Sequence, residues 1–191
     1  MHAAVRASRA EAGFTLAEVL VALFVVALGI AGAAGVQAMA LRSARAAARM
    51  SDGVQLAAAL AERMRANPAA LALADADNPY LHLDYATDTG LPPSGPACYG
   101  ASACDTGELA RFDLAEAAHE LGMRFAGARI LACRDASASD PSGEPSWSCS
   151  GEAGAPLVIK LGWREADEAA ALPRVVLPMT GAGTPVAGGG A

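Results

Sequence analysis

The stretch that decides the fold is GFTLAEVLVAL, Gly13 to Leu23, which opens the longest apolar run in the chain. From Phe14 to Leu41 the only charged residue is Glu18. Roughly 20 residues of helix suffice to cross the hydrocarbon core of a bilayer, and this run is longer. It also exceeds the apolar region of a secretory signal peptide, which holds about 7–15 residues. The sequence therefore predicts a membrane-spanning helix over 14–41, with one carboxylate near its start.

The segment before this run has the form of a short leader. It reads MHAAVRASRAEAG, carries Arg6 and Arg9, and ends at Gly13. In an ordinary signal peptide the cleavage site follows the apolar region, whereas here the small residue precedes it. Cleavage between Gly13 and Phe14 would keep the apolar run on the mature chain and make Glu18 its fifth residue.

The combination of a basic leader, Gly13, the sequence Phe-Thr-Leu, an acid at a fixed offset and an apolar run resembles the type IV prepilins. The resemblance implies that a membrane peptidase removes leader 1–13 on the cytoplasmic side and methylates the new amino terminus at Phe14. It also implies that Glu18 pairs with the positive amino terminus of a neighbouring subunit in a filament core. Such a pair is attractive at low dielectric, while an isolated acid in lipid is costly. The alternative is an acid tolerated close to the membrane interface.

After Leu41 the pattern remains helical but becomes amphipathic. Apolar residues alternate with arginines over 42–66, and alanine, the best helix former, fills the gaps. Asn67-Pro68 predicts the end of the helix, because proline cannot continue it. We therefore expect one long helix over 14–66, and the resemblance to pilins implies that Gly35 is its weakest point. Its predicted apolar positions are Leu41, Met50, Val54, Leu56, Leu60 and Met64.

Residues 67–180 are predicted to form an α/β head. A loop rich in proline and glycine occupies 69–107, and a helix is expected over about 109–123. Three apolar stretches at 128–133, 156–163 and 174–179 are separated by turn-rich segments, which predicts an antiparallel sheet of three strands against the top of the long helix. The expected fold class is α+β and pilin-like. The glycine-rich tail 181–191 has no periodicity and is expected to be flexible.

All four cysteines lie in the head. An even number of cysteines in an exported domain favours disulfides. Three pairings are possible, and we favour Cys98–Cys104 with Cys133–Cys149 because each closes a local loop. A zinc site is the alternative, but five and fifteen intervening residues match no zinc-binding spacing.

Composition argues against several functional classes. Residues 1–66 carry seven arginines and four acids, a net charge of +3, whereas 67–191 carry seven bases and sixteen acids, a net charge of −9. A nucleic-acid-binding protein would instead concentrate bases on its folded part. His2, His82 and His119 are scattered, although His82 could pair with Asp84, and no nucleophile or phosphate-loop motif is present. We therefore expect no enzyme activity, no cofactor and no metal.

Four segments of the chain indicate a subclass within the type IV pilin family. The segments LAERMRANP, DLAE, CRD and LVIKLGWRE are similar to those of minor pilins of the type IV pilus modification class, except at Gly162, where an aromatic residue is expected. This resemblance implies a minor subunit that helps to prime pilus assembly, near the tip. Its partners would be other minor and major pilins, the prepilin peptidase and methyltransferase, the inner-membrane assembly machinery and membrane lipid.

The same resemblance implies a location. The chain would cross the inner membrane once with its head in the periplasm, and would then reach the cell surface in the pilus. Two alternatives remain: a minor pseudopilin of a type II secretion system, or a membrane-anchored periplasmic protein of another class whose N-terminus only imitates a prepilin.

Overall fold

The computed structural model describes residues 13–100, 103–137, 139–140, 142–165 and 168–179. Most of the predicted leader and all of the predicted tail 181–191 lie outside these residues. The chain divides into two compact units, Met1–Ala47 and Ala48–Ala191. Helix α1, Leu16–Ala66, contributes to both units and is continuous through Gly35. It ends immediately before Asn67-Pro68, as predicted.

The second unit combines short helices with one antiparallel sheet of four strands. The strands are β1 Asp84–Ala86, β2 Ala128–Arg134, β3 Leu157–Trp163 and β4 Leu172–Met179, and their order in the sheet is β1-β2-β3-β4. The pilin-like α+β fold class is confirmed. The predicted three strands are β2, β3 and β4; the additional strand β1 pairs Tyr85 with Ile130. Sequence reasoning missed β1 because it is only three residues long and lies in a turn-rich region. The other elements after α1 are α2 Pro68–Leu71, a 3₁₀ turn Pro79–His82 and α3 Thr106–Arg124.

The last turns of α1 form the helical side of the core. Leu56, Leu60 and Met64 are almost completely buried. The predicted apolar positions Met50 and Val54 are instead 40% and 48% exposed. The buried face is continued one turn earlier by Gly53, which is buried among larger side chains.

Gly53 allows the sheet to approach the helix closely. A Cβ atom at this position would lie 2.7 Å from Cζ3 of Trp163, which is a closer approach than packed atoms tolerate. Trp163 also stacks on Phe125, with ring centroids 4.8 Å apart. The glycine therefore provides the space in which the indole ring packs against α1.

Gly162 has a similar role within the sheet. The pairing of β3 with β4 shifts between Leu161 and Gly162, which is a bulge. A Cβ atom at Gly162 would lie 1.9 Å from the carbonyl oxygen of Leu172. No side chain fits there, and this explains why glycine replaces the aromatic residue expected from sequence.

Helix α3 begins three residues before its predicted start because Asp105 caps it. The Asp105 carboxylate accepts the N–H of Glu108 at 2.7 Å, and the Glu108 carboxylate accepts the N–H of Asp105 at 3.0 Å. This reciprocal capping box satisfies two N–H groups that an uncapped helix end leaves unpaired.

Candidate functional site

The peptide bond between Gly13 and Phe14 lies just before α1, outside any helix or strand. Phe14 is 88% exposed. Among the described residues, no atom lies within 4 Å of the position that a Cβ would take at Gly13. Nothing in the described part of the chain therefore shields this bond, which is the setting that the predicted cleavage requires.

Glu18 and Thr15 form a capping box at the start of α1. The backbone N–H and the hydroxyl of Thr15 donate to Oε2 of Glu18 at 2.9 and 3.0 Å, and the N–H of Glu18 donates to Oγ1 of Thr15 at 3.3 Å. Oε1 of Glu18 has no hydrogen bond within the described residues. The carboxylate thus caps its own helix through one oxygen and keeps the other oxygen for a further donor. The sequence signal for this capping box is Thr-x-x-Glu before an apolar run, a pattern that marks the start of a helix. The sequence-based prediction did not include it.

The apolar half of α1 is uncovered. In the described part of the chain, α1 is the one helix long and apolar enough to cross a membrane, judged by length and composition. Its apolar side chains from Leu16 to Leu41 are exposed, and no described atom lies within 4 Å of a Cβ built at Gly29, Gly32 or Gly35. Any close packing at these glycines would therefore involve lipid or another chain.

Two disulfides join the pairs favoured from the sequence. Cys98 is bonded to Cys104 and Cys133 to Cys149, with Cα atoms 5.9 and 6.3 Å apart. The first fastens the proline-rich loop beside α3, where a Cβ at Gly95 would lie 2.7 Å from a backbone carbonyl oxygen of the helix. The second closes the long connection between β2 and β3.

A buried ion pair holds the same β2–β3 connection from inside. Nζ of Lys160 lies 2.6 Å from Oδ2 of Asp135, and both side chains are almost fully buried. Lys160 also donates to the carbonyl oxygens of Ser146, at 2.8 Å, and Ser148. Burial by itself would raise the pKa of Asp135, but the hydrogen bond from Lys160 and two backbone N–H donors outweigh it and lower that pKa. The loop is therefore organised around one lysine in an otherwise apolar strand.

A second buried polar cluster connects the end of α1 to α3. The hydroxyl of Tyr80 donates to Asp113 at 2.9 Å, and Nδ2 of Asn67 donates to Tyr80 at 3.3 Å and to the carbonyl of Thr106 at 2.9 Å. Burial raises the pKa of Asp113 and that of Tyr80. Since each group has a partner, the cluster fixes where the chain turns after Asn67.

The histidines are not brought together. His82 and His119 are exposed, and His2 lies outside the described residues. No hydrogen bond between His82 and Asp84 is found among the described residues; Arg129 instead donates two hydrogen bonds to Asp84, at 2.8 and 2.7 Å. This pairing lowers the pKa of Asp84. Within the described ranges, no group of three potential metal ligands is found.

Comparison with known proteins finds two family models, which adjoin. Residues 8–34 match the prokaryotic N-terminal methylation motif, and residues 35–115 match the family described as type IV pilin Tt1218. The matched regions include α1, Cys98, Cys104 and the first half of α3. Neither a curated protein nor a solved structure matches the chain.

These matches agree with the architecture. The methylation motif covers the capping box and most of the apolar part of α1, and the pilin family covers the remainder of that helix. Pilin families are structural, and the motif with its apolar helix indicates membrane anchoring and display in a pilus. The long helix, the small antiparallel sheet and the two matches together make the chain similar to the type IV pilins.

Proposed function

We propose that the protein is a minor pilin of a type IV pilus, most similar to PilV, the type IV pilus modification protein. In this proposal the leader is cut after Gly13, Phe14 is methylated, and the subunit helps to prime assembly near the tip. The observation that carries the proposal is Glu18: it begins an uncovered apolar helix, and one of its carboxylate oxygens has no hydrogen bond within the described residues.

The uncovered helix supports a subunit that passes from membrane to filament. Exposed apolar surface is unfavourable in water, so residues 14–41 require lipid before assembly and other helices after it. The two disulfides favour a head outside the cytosol, because disulfides persist in oxidising compartments. A single crossing of the inner membrane with the head in the periplasm satisfies both requirements.

Glu18 supplies the register between subunits in this proposal. The positive amino terminus of an adjacent processed chain would donate to Oε1, while Oε2 remains bonded to Thr15. A buried pair of opposite charges is favourable only when both partners are present. Removing the carboxylate would strand the amino terminus, at a cost of roughly 3–5 kcal/mol. The prepilin peptidase, the assembly machinery and other pilins are the partners that this cycle needs.

The experiment compares Glu18→Gln, Glu18→Ala and Thr15→Val with the wild-type protein. Glu18→Gln retains an oxygen that can accept the Thr15 hydrogen bonds but removes the charge, whereas Thr15→Val removes the hydroxyl and retains the charge. The amount of each protein is measured in the membrane and in sheared pili. We expect normal membrane amounts for all three, loss from pili for both Glu18 variants, and incorporation of Thr15→Val.

Two results would oppose this assignment. Normal recovery of Glu18→Gln in pili would show that charge pairing is not needed for incorporation. Equal loss of Thr15→Val would assign the role of Glu18 to capping its own helix. Absence of wild-type protein from pili, together with a defect in protein secretion on its deletion, would favour the pseudopilin alternative.

A further inference from the structure

Three arginines converge on a small cavity at one end of the head. The cavity has a volume of about 70 Å³, and Arg49, Arg124 and Arg164 line it together with Phe125, Ala126 and Trp163. Each arginine comes from a different part of the unit: Arg49 from α1, Arg124 from the last residue of α3, and Arg164 from the residue after β3. No acid is among the described residues that line this space.

Backbone and side-chain contacts position two of these arginines, Arg164 and Arg49. The guanidinium of Arg164 lies over Gly127, where a Cβ atom would be 3.2 Å from Nη2. The N–H of Arg164 also donates to the carbonyl of Gly127 at 3.2 Å. Arg49 is held at 3.0 Å by Glu165, whose other oxygen accepts the indole N–H of Trp163 at 2.8 Å. Contacts between elements therefore place Arg49 and Arg164 beside the cavity, with the Arg49 side chain 57% exposed.

The local charge is positive although the chain as a whole is acidic. Two acids adjoin the cavity: Glu165 beside Arg49, and Glu120, which lies 3.8 Å from Arg124 and 3.7 Å from Arg63. The three lining arginines and these two acids leave a local net charge of +1, in a chain whose net charge is −6. Glu165 compensates part of the charge of Arg49, and Glu120 and the negative end of the α3 dipole compensate part of that of Arg124, so Arg164 provides most of the attraction for an anion.

We propose that this cavity, which we call the three-arginine pocket, binds the phosphate of an anionic phospholipid headgroup. Its volume corresponds to about five water-sized groups, which suits one tetrahedral phosphate. A planar carboxylate can be bound by a single arginine through two parallel hydrogen bonds. Guanidinium groups from three different elements are better suited to a tetrahedral oxyanion.

The sequence explains why lipid is the favoured source of this phosphate. Arg49 follows the apolar run by eight residues, and Arg42 and Arg45 precede it at helical spacings. Basic clusters next to a membrane-spanning segment are attracted to anionic lipids. This step rests on the proposed membrane-anchored subunit; inorganic phosphate is the alternative source of the same chemistry.

The test uses the full chain in neutral detergent micelles, with head unfolding followed by near-UV circular dichroism. Phosphatidylglycerol, phosphatidylcholine or inorganic phosphate is added at matched ionic strength. A ligand that binds only the folded head raises its unfolding midpoint. The variants are Arg164→Gln and Arg124→Gln, with Arg65→Gln as the matched control, because Arg65 pairs with Glu62 on the helix surface and does not line the pocket.

We expect phosphatidylglycerol to raise the midpoint of the wild type and of Arg65→Gln, with roughly tenfold weaker apparent affinity in each pocket variant. Equal stabilisation by phosphatidylcholine, an undiminished effect in Arg164→Gln, or no effect of any ligand would overturn the proposal. Stabilisation by inorganic phosphate alone would overturn the lipid assignment. Each midpoint without ligand shows whether the variant folds. Processing and pilus incorporation are measured separately in cells, so failure here is distinguishable from failure of the proposed function.

Discussion

Gly53 and Gly162 mark two places where elements of the head approach each other closely. At both positions an added Cβ atom would overlap existing atoms, the Trp163 ring in one case and the Leu172 carbonyl in the other. Gly122, in α3, differs because the nearest atom to its added Cβ is 3.9 Å away. Replacing these glycines by alanine is therefore expected to change the stability of the head in opposite directions, although the glycines look equivalent in the sequence.

Replacing Gly53 by alanine is predicted to destabilise the head. Helix propensity alone favours alanine by about 1 kcal/mol, but overlap with the rigid indole is expected to cost roughly 1–3 kcal/mol and to shift Trp163. Gly122→Ala is the matched control and should be neutral or slightly stabilising. Chemical unfolding of both variants, followed by tryptophan fluorescence, measures the difference. A Gly53→Ala protein as stable as Gly122→Ala would contradict the close packing on Trp163.

At the scale of elements, the β2–β3 connection is fastened twice. The Cys133–Cys149 disulfide closes it covalently, and the buried Lys160–Asp135 pair holds its carbonyl and N–H groups from below. The loop has few apolar residues of its own. The disulfide and the ion pair therefore keep it ordered in place of apolar packing. Their removal should have separable effects.

The buried pair predicts a specific acid dependence. Since the pKa of Asp135 is lowered on folding, its contribution is present above its unfolded pKa of about 3.9 and is lost as pH falls through the folded value. Asp135→Asn leaves Lys160 buried without its counter-ion and should cost roughly 3–5 kcal/mol at neutral pH. The gap in unfolding free energy between wild type and variant should narrow below about pH 4. A gap that stays constant from pH 7 to pH 3 would oppose the pairing.

The disulfides should contribute according to the loops they close. In the chain-entropy model, a loop of sixteen residues contributes roughly 3 kcal/mol and a loop of six roughly 2 kcal/mol. Removal of the longer loop by Cys133→Ser with Cys149→Ser should therefore lower the melting temperature more than removal of the shorter one. Calorimetry of the two double variants under oxidising conditions tests the order, and the reverse order would show that native contacts outweigh loop entropy.

The sequence predicted some elements well and others poorly, for physical reasons. Helix α1, its end at Asn67 and strands β2 to β4 were predictable because periodicity, proline and β-branched residues all agree. Strand β1 and the start of α3 were not, because a three-residue strand has no usable period and the Asp105 cap was overlooked. The Thr15 contact with Glu18 was also missed, although Thr-x-x-Glu signals it. The three-arginine pocket depends on tertiary convergence and has no local sequence signal.

At the scale of the whole molecule, the two units differ in the surface that they expose. The first is an apolar helix with no covering atoms in the described chain, and the second is a disulfide-bonded head with its own buried core. The proposed function joins them: the first unit would anchor and then assemble, while the second would remain folded in an oxidising compartment. Both roles require that the chain retain its apolar segment after the leader is removed.

The most direct test is the intact mass of the protein recovered from the membrane and from sheared pili. The account predicts a chain that begins at methylated Phe14 in both fractions, with both disulfides formed. Gly13→Val should retain the leader and be absent from pili, because a bulky residue would obstruct cleavage, whereas Gly13→Ala is the milder matched control. A mature chain that still carries residues 1–13, or wild-type protein found in the membrane but never in pili, would contradict the account.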